Sequence, residues 1–527
     1  MMRLLFRPIQ VSLNRCAGNF ICENQRRLVF QNSLLLLSLF VPLPVLAQLP
    51  ATRLDGVFPP GAQIGQSVDV AISGADLDDV DRLMFSHPGL SATQKMAEPG
   101  PFDNGPQPVE NQFVVTIKGD VPPGQHSIRC QGKYGLSNPR TFVVDTLAET
   151  SETEPNNRTE EATEIAVPSV MNGQLNGGAD LDWYRFKGTT GQRLLVDGQA
   201  RRIDSRSDLV ITVAAADGRI LAENRQGHAG DPLIDLQIPS NGDYYLRVHD
   251  SQYAGGADFF YRLVLSTRPH IDFVFPPAGL PGSNDEYTAY GRNLPGGQNS
   301  GLRLDGQELQ QIKVRVPIPG DIADKLTFSG RLDPHQAGLD GIEYRVNSPA
   351  GPSNPALVTV ATAPVVLESA DNDSPAKAQT LTLPCEVAGQ FFPKRDLDWY
   401  SFEAKANDVF TIEVYSHRLG LPTDPGLLVQ QVTKNDAGEE QVRQLALIDD
   451  VVSNFRDKSF DHRSNDPWYR FVAPADGIYR VMVRDSFSGV KSDPRMTYRL
   501  AIRPEQPDFR LAAAPVDLAG SVLLRRG

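Results

Sequence analysis

Three motifs occur twice in this chain at nearly one spacing. Val57-Phe-Pro-Pro60 returns as Val274-Phe-Pro-Pro277, at a spacing of 274 − 57 = 217. Gly135-Leu-Ser-Asn-Pro139 returns as Gly351-Pro-Ser-Asn-Pro355, at a spacing of 351 − 135 = 216. Asp180-Leu-Asp-Trp-Tyr184 returns as Asp396-Leu-Asp-Trp-Tyr400, at a spacing of 396 − 180 = 216. A shared spacing indicates that a unit of about two domains was duplicated. Because one chain rarely needs an active site twice, the repeat favours a binding or spacer role.

Short strands dominate the sequence pattern. The chain contains 41 Pro and 44 Gly among its 527 residues, and apolar residues alternate with polar ones in runs such as 68–72 and 112–117. Such runs, bounded by turn residues, predict strands, and the long amphipathic runs typical of helices are absent. We therefore predict an all-β protein built of tandem β-sandwiches. Residues 48–148 and 268–362 have the length and strand spacing of immunoglobulin-like sandwiches.

The N-terminal residues have the pattern of a secretory signal. Arginines precede the apolar run 34–41, and Ala47 offers a small residue at a cleavage site. The apolar run is shorter than the roughly 20 residues that a membrane span needs. We expect residues 1–47 to be a signal peptide and the mature protein to be secreted, at the cell surface or in the periplasm, without a membrane span. An uncleaved anchor is the alternative.

Composition and motif content narrow the function. The net charge of −13 argues against nucleic acid as a partner. After the signal only Cys130 and Cys385 remain, in different modules, so a disulfide framework is not expected. The sequence has no Gly-x-Ser-x-Gly, His-Glu-x-x-His or P-loop motif. We expect no enzyme activity, and a partner that is an extracellular protein or a glycan.

The first and third modules share turn motifs. These are Phe58-Pro-Pro-Gly61 and Phe275-Pro-Pro-Ala278 at the start, a Gly-x-x-Leu turn beginning at Gly74 and Gly291, and the late Ser-Asn-Pro. In these features both modules resemble IPT/TIG domains, which are found in bacterial surface proteins. The resemblance implies an immunoglobulin-like fold. The shared motifs mark turns and do not indicate catalytic or binding residues.

The second and fourth modules, residues 149–267 and 363–505, carry an acidic opening and a later Asp-x-Asp. The second has Glu152-Thr-Glu-Pro-Asn-Asn157 and then Asp180-Leu-Asp-Trp-Tyr184. The fourth has Glu368-Ser-Ala-Asp-Asn-Asp373, with Ala370 in place of the second Glu. These modules resemble the bacterial pre-peptidase C-terminal (PPC) domain. The resemblance implies a jelly-roll-like β-sandwich, so that immunoglobulin-like and jelly-roll-like folds alternate along the chain.

The same resemblance implies a calcium site in each of these modules. Ca²⁺ takes about six to eight oxygen ligands from carboxylates, amides and carbonyls. In clostridial relatives within this family the opening segment and the later Asp form a calcium site, and calcium orders the segment that joins two domains. Carried over, the candidate ligands are Glu152, Glu154, Asn156, Asn157, Asp180 and Asp182 in the second module, and Glu368, Asn372, Asp373, Asp396 and Asp398 in the fourth. The alternative is a plain linker turn in which the Asp residues cap loops.

Trp183 and Trp399 follow the Asp-x-Asp motifs. We expect them in the sandwich core, since Trp-Tyr-x-Phe alternates along a strand; an exposed platform for a glycan is the alternative. Later in the fourth module the spacing becomes 466 − 231 = 235, so 235 − 216 = 19 residues are inserted, and Trp468 corresponds to Leu233. The insertion includes the charged stretch 456–463, which we expect to be a solvated loop rather than a partner-binding one.

The sequence predicts an exported, non-catalytic multidomain protein for cell-surface binding or spacing, with calcium stabilising the PPC-like modules. The first alternative is an accessory or truncated part of a secreted peptidase, and the second is a carbohydrate-binding surface protein. Residues 506–527 contain an apolar run after a proline-containing linker. We expect them to begin a further, truncated segment and to be poorly packed.

Overall fold

The computed structural model describes residues 50–100, 104–227, 230–322, 328–330, 332–336, 338–450, 463–490 and 492–506. The predicted signal peptide, residues 456–462 of the charged stretch and residues 507–527 lie outside this part of the chain. The described residues form strands with a few short 3₁₀ helices: Thr159–Glu161, Arg201–Ile203, Pro334–Gln336, Pro375–Lys377 and His417–Leu419. The predicted all-β class is therefore confirmed. None of these helices is long and apolar enough to cross a membrane.

The first sandwich has the strand order of an immunoglobulin domain. One sheet has the order β1-β3-β6-β5 and the other β2-β9-β7-β4, which matches the A-B-E-D and G-F-C sheets of that fold. Its core lies between the two sheets, around the fully buried Phe113 and Phe142. The strands are β1 (Arg53–Phe58), β2 (Gly61–Gln63), β3 (Ser67–Ala75), β4 (Arg82–Phe85), β5 (Leu90–Ala97), β6 (Gln107–Ile117), β7 (Gly124–Gly132), β8 (Gly135–Leu136) and β9 (Arg140–Asp145).

The second sandwich is a jelly roll. Its strands are β10 (Glu149–Ser151), β11 (Thr163–Glu164), β12 (Ser169–Gln174), β13 (Asp182–Gly188), β14 (Arg193–Gln199), β15 (Leu209–Ala215), β16 (Ile220–Asn224), β17 (Leu233–Gln237), β18 (Gly242–Asp250) and β19 (Phe260–Ser266). The sheets run β10-β12-β19-β14-β17 and β11-β13-β18-β15-β16. Strands β12 to β19 thus supply eight strands in the two-sheet order of a jelly roll, as the PPC resemblance implies.

The third sandwich repeats the first with a smaller second sheet. Its strands are β20 (His270–Phe275), β21 (Ala278–Gly279), β22 (Asn284–Arg292), β23 (Gln298–Leu304), β24 (Gln307–Pro317), β25 (Gly341–Tyr344), β26 (Asn347–Ser348), β27 (Gly351–Pro352) and β28 (Ala356–Val360). The larger sheet has the order β20-β22-β24-β23, equivalent to β1-β3-β6-β5, and the smaller has the order β21-β28-β25. The connection before β25, residues 318–340, is longer than its counterpart 118–123 before β7.

The fourth sandwich repeats the jelly roll strand by strand. Its strands are β29 (Val365–Leu367), β30 (Gln379–Thr380), β31 (Cys385–Gln390), β32 (Asp398–Ala404), β33 (Val409–Tyr415), β34 (Pro425–Lys434), β35 (Glu440–Ile448), β36 (Trp468–Val472), β37 (Gly477–Asp485) and β38 (Thr497–Pro504). The orders β29-β31-β38-β33-β36 and β30-β32-β37-β34-β35 match those of the second sandwich. Trp468 begins β36 as Leu233 begins β17. The additional residues lengthen both the β34–β35 hairpin and the connection from β35 to β36.

Consecutive sandwiches are joined by polar contacts. Thr141 of the first donates a hydrogen bond to Asp204 of the second at 2.7 Å. Arg499 of the fourth donates to the Thr359 hydroxyl of the third at 2.9 Å. The guanidinium of Arg499 is buried and paired with Glu386. A buried guanidinium needs this full set of partners, so the joint restricts how the two sandwiches can be oriented.

Candidate metal centres

Strand pairing brings the acidic opening of the second sandwich to the start of β13. The amide of Glu152, directly after β10, donates to the carbonyl of Asn172 at 2.9 Å, which extends the pairing of β10 with β12. The amide of Trp183 donates to the carbonyl of Asn156 at 2.9 Å. The opening segment therefore lies across β12 and β13. Asp182 is the first residue of β13 and Asp180 lies two residues before it, where the chain turns into the strand.

The six predicted residues of the second sandwich lie together. Carboxylate oxygens of Glu154, Asp180 and Asp182 are within 4.8 Å of one another. The amide nitrogen of the Asn156 side chain donates to Glu152 at 3.2 Å. Asn157 lies at the rim, with its side-chain oxygen 3.5 Å from the amide nitrogen of Leu181. An open depression of about 510 Å³, lined in part by Glu154, Asn157 and Asp180, connects this cluster to solvent.

Two buried oxygens in this cluster have no hydrogen-bond partner among the described residues. Asp182 is fully buried, and its Oδ2 accepts a hydrogen bond from the phenol of Tyr261 while its Oδ1 accepts none. The side-chain oxygen Oδ1 of Asn156 is likewise buried and unpartnered. Leaving such groups unsatisfied costs about 1–3 kcal/mol each, and more for a charged one. A bound cation would satisfy both oxygens, so the residues present fit a metal ion.

The carboxyl groups of this cluster have raised pKa values because they are buried close to one another. Burial, and then the charge of Glu152, raises the pKa of Asp182 to about 9. Burial also raises the pKa of Glu152 to about 7. Both shifts mean that the cluster resists carrying its full negative charge without a compensating cation. The donor set contains only oxygen, which suits a hard cation such as Ca²⁺.

The fourth sandwich contains a second cluster of the same design. Carboxylate oxygens of Glu368, Asp396 and Asp398 are within 4.8 Å of one another. Oδ1 of Asp398 and both polar side-chain atoms of Asn372 are buried without a partner in the described ranges. Burial, and then the charge of Glu368, raises the pKa of Asp398 to about 10. Asp373 is exposed beside the cluster, and its charge contributes to the raised pKa of Glu368 and Asp396.

A pair of tyrosines in each cluster was not singled out from the sequence. The hydroxyls of Tyr184 and Tyr261 are 2.5 Å apart, and those of Tyr400 and Tyr498 are also 2.5 Å apart. Tyr261 and Tyr498 donate to Asp182 and Asp398. The sequence carried a signal for them, because both modules repeat Tyr after Asp-x-Asp-Trp and Tyr-Arg-Leu near the end.

The expectation that the two tryptophans are buried in the core is wrong for Trp183 and confirmed for Trp399. Tyr184 and Phe186 belong to the core cluster, so alternation along β13 directs Trp183 to the outer face. There Arg247 lies over the indole ring of Trp183, 5.9 Å from its centroid. Trp183 is partly exposed, whereas Trp399 is buried at 8% exposure. Trp399 therefore lacks the open surface that a glycan platform needs.

A third acidic group appears in the fourth sandwich. Oxygens of Asp424, Asp449 and Asp450 are within 4.8 Å of one another, but Asp449 and Asp450 are exposed. At the position equivalent to Asp424, Asp208 forms an ion pair with Arg225. This group is not apparent from the sequence, because the hairpin of β34 and β35 brings together residues that are far apart in the chain.

No protein-family model matches the chain, and no curated protein matches it. Among solved structures, it is similar to the pre-peptidase C-terminal domain of a Bacillus anthracis collagenase, with 21% identity over 21% of this chain and 99% of that one, and a TM-score of 0.18. It is similar to Aeromonas hydrophila PliG, a periplasmic inhibitor of g-type lysozyme, with 16% identity over 22% of this chain and 99% of that one, and a TM-score of 0.14.

A third similarity is to SGBP-B of the Bacteroides ovatus mixed-linkage glucan utilization locus, solved with a mixed-linkage heptasaccharide. The identity is 11% over 40% of this chain and 72% of that one, with a TM-score of 0.14. Similarities this weak carry no conclusion about activity. The IPT/TIG resemblance of the first and third sandwiches stays a prediction.

Proposed function

We propose that this chain is an exported, non-catalytic multidomain protein for binding or spacing at the cell surface, and that calcium stabilises its two jelly-roll sandwiches. One observation carries the calcium part of this proposal. Both sandwiches hold a buried aspartate, Asp182 or Asp398, with one oxygen bound by a tyrosine and the other unpartnered in the described part of the chain. A surface turn or a loop cap would leave no buried carboxylate oxygen without a partner.

The residues that would hold calcium differ between the two sandwiches. In the second they are Asp182, Asp180 and Glu154, with Asn156 and Asn157 beside them. In the fourth, Glu368 takes part with Asp396 and Asp398, because Ala370 stands where Glu154 stands in the second. The ion supplies positive charge to each cluster, and the protein supplies the rigid oxygen donors.

Calcium in the second sandwich would also stiffen its connection to the first. The acidic opening follows β10, whose Glu149 forms a buried ion pair with Arg262 on β19. Asp145, at the end of β9 in the first sandwich, lies near the same guanidinium. An ion that ties Glu154 to Asp182 would therefore order the segment that leads out of this joint.

The test is thermal unfolding of the mature full-length chain in calcium, in magnesium and in EDTA. At 100 times its dissociation constant, a ligand that binds only the folded state adds about 2.7 kcal/mol of stability. We expect calcium to raise the melting temperature and EDTA to lower it, with a smaller effect of magnesium. Asp182→Asn and Asp398→Asn keep the side-chain shape and remove the charge, so each should reduce the calcium effect and both together should remove it. An unchanged melting curve in EDTA would refute calcium stabilisation.

The binding role is tested by isolating partners from the native cell envelope with the immobilised full-length chain, with and without calcium. We expect an envelope component to be retained, and retained more strongly with calcium. Failure to retain any component would contradict the binding role while leaving the spacer role in place.

A further inference from the structure

The two acidic clusters differ in how open they are to solvent. In the second sandwich Glu154 is exposed and Asp180 is partly exposed, and both line the depression of about 510 Å³. In the fourth sandwich Asp396 and Asp398 are buried and Glu368 is only partly exposed. Among zinc sites, those that support a fold are closed, and those that act on a ligand keep a position open. The same distinction separates these two sites, which we call the open cluster and the closed cluster.

The side chains of the open cluster leave part of the coordination of a calcium ion to other groups. Asp182 and Asn156 each offer one buried oxygen that has no partner among the described residues. Glu154 and Asp180 each offer a carboxylate oxygen. With one oxygen each, these four side chains supply fewer than the about six to eight oxygens that Ca²⁺ takes. Main-chain carbonyls, water or a ligand must supply the rest, and the depression gives a ligand access.

An exposed aromatic residue lies beside the open cluster. The carbonyl of Tyr253 accepts a hydrogen bond at 3.0 Å from the amide of Ala179, which lines the depression. The ring of Tyr253 is stacked on that of His249, with the centroids 4.9 Å apart and an interplanar angle of 4°. His249 is buried, whereas Tyr253 is 49% exposed. The Tyr253 ring is therefore held from one side while much of its surface stays in solvent.

The fold does not require an aromatic residue at this position. The backbone of Tyr253 has a φ of 55°, and non-glycine residues held in this left-handed region cluster at functional sites. The spacing 488 − 253 = 235 makes Ser488 its equivalent in the fourth sandwich. The carbonyl of Ser488 accepts from the amide of Arg395 as that of Tyr253 accepts from Ala179. The contact between the two loops is thus kept without a ring, so the ring of Tyr253 is free to serve a ligand.

The charges around the open cluster indicate the chemistry of the ligand. Glu154 and Asp180 lie where a ligand would enter, and Glu152 and Asp182 lie behind them. One divalent ion does not outweigh four acidic groups, so an anionic ligand is disfavoured. Hydroxyl groups supply oxygen to calcium without adding charge. A sugar ring offers neighbouring hydroxyls together with a face of C–H groups, which packs on the negative face of an aromatic ring.

We propose that the open cluster of the second sandwich, loaded with calcium, binds a neutral glycan. Neighbouring hydroxyls of one sugar complete the coordination of the ion, and the sugar ring packs on Tyr253. The closed cluster of the fourth sandwich is structural only. This inference rests on the calcium binding proposed above and names a partner for the binding role. It gives different tasks to two clusters that share one design.

The test is retention of the full-length mature chain on immobilised mannan and galactan, which are neutral, and on hyaluronan, which is anionic. We expect retention on at least one neutral polysaccharide in calcium, elution by EDTA, and no retention on hyaluronan. Asp182→Asn should abolish retention, because it removes a ligand of the ion in the open cluster. Asp398→Asn changes the closed cluster, so it should weaken the stabilising effect of calcium while retention persists.

The role of the ring is tested separately. Tyr253→Ala should reduce retention by roughly tenfold, because it removes the stacking surface. The rise in melting temperature with calcium should stay as in the wild type, because Tyr253 is not a proposed ligand of the ion. Phe487→Ala is the matched control, since Phe487 is 42% exposed and directly precedes Ser488 in the equivalent loop of the fourth sandwich. This variant should be retained as the wild type is.

Several outcomes would overturn the inference. These are no retention on either neutral polysaccharide, retention on hyaluronan alone, and retention that persists in EDTA. Equal loss of retention in Asp182→Asn and Asp398→Asn, or in Tyr253→Ala and Phe487→Ala, would also overturn it. The melting curves decide separately about the proposed function. If calcium still raises the melting temperature, calcium stabilisation stands without the glycan, and if EDTA leaves the curve unchanged, both fall.

Discussion

The phenol of Tyr498 donates a hydrogen bond to Oδ2 of Asp398 at 2.7 Å, while Oδ1 of the same carboxylate is buried and without a partner in the described residues. Tyr261 holds Asp182 in the same way in the second sandwich. Each tyrosine thus fixes the carboxylate in one orientation and leaves one oxygen free. The ligand oxygens are therefore already oriented before an ion binds.

We predict that Tyr261→Phe destabilises the calcium-free protein by about 1–3 kcal/mol, because Asp182 then loses its hydroxyl donor. Calcium affinity should fall as well, since the carboxylate is no longer oriented. Urea unfolding and calorimetric titration of the full-length chain measure the two effects. Tyr253→Phe is the control, because Tyr253 is 49% exposed. If both variants unfold alike, the phenol of Tyr261 does not support the carboxylate.

The calcium-free protein should become less stable as pH rises. The pKa of Asp182 is raised to about 9 and that of Asp398 to about 10, whereas an unfolded chain loses the proton near pH 4. Between these values the folded state binds more protons than the unfolded state, so the free energy of unfolding falls with increasing pH. Urea unfolding in EDTA from pH 5 to about pH 8 measures this slope.

The matched control for this slope is the double variant Asp182→Asn, Asp398→Asn, which lacks both titrating groups and should show a flatter dependence. Saturating calcium should flatten the wild-type slope too, since ion binding displaces the protons. A wild-type slope in EDTA equal to that of the double variant would show that these carboxyls do not govern the pH dependence.

The fourth sandwich should bind calcium more weakly than the second. Ala370 removes the carboxylate that Glu154 supplies beside the two aspartates, and Asp373, which replaces Asn157, is exposed beside the cluster and does not take its place. Calcium affinity follows the charge and rigidity of the ligands that reach the ion. Calorimetric titration of the Asp398→Asn variant with calcium measures binding at the cluster of the second sandwich alone. The same titration of the Asp182→Asn variant measures binding at the cluster of the fourth sandwich. Adding Ala370→Glu to Asp182→Asn should strengthen binding by roughly tenfold, about 1.4 kcal/mol. Tighter binding by the fourth cluster than by the second would contradict the assignment of Glu154 as a ligand.

Gly389→Ala should disrupt the fourth cluster. A Cβ at this position would lie 2.4 Å from both Glu368 Oε2 and the Tyr498 ring. Overpacking of this kind costs about 1–3 kcal/mol, and here it also displaces a proposed ligand. Gly489→Ala is the control, because a Cβ there would meet no atom within 4 Å. Comparable melting temperatures for the two variants would show that the cluster is loosely packed.

Several features could be predicted because their causes are local. Turn residues and short alternating runs indicate β-sandwiches, and the repeat spacing shows where the plan recurs. Candidate ligands such as Asp180 and Asp182 lie two residues apart, just before and at the start of β13, so local sequence is enough to keep them close together. The frame that matches Trp468 to Leu233 also follows from spacing alone, and the strands β17 and β36 agree with it.

The sequence by itself determined the all-β class, the duplicated plan and the acidic segments. Only the tertiary structure decided that Tyr261 reaches Asp182, that Trp183 faces outward, and that Asp235 of the second sandwich lies against Arg292 of the third. The physical reason is that alternation determines which side chains share one face of a strand. Which strand or sandwich lies against that face depends on sheet order and on packing between residues far apart in the chain.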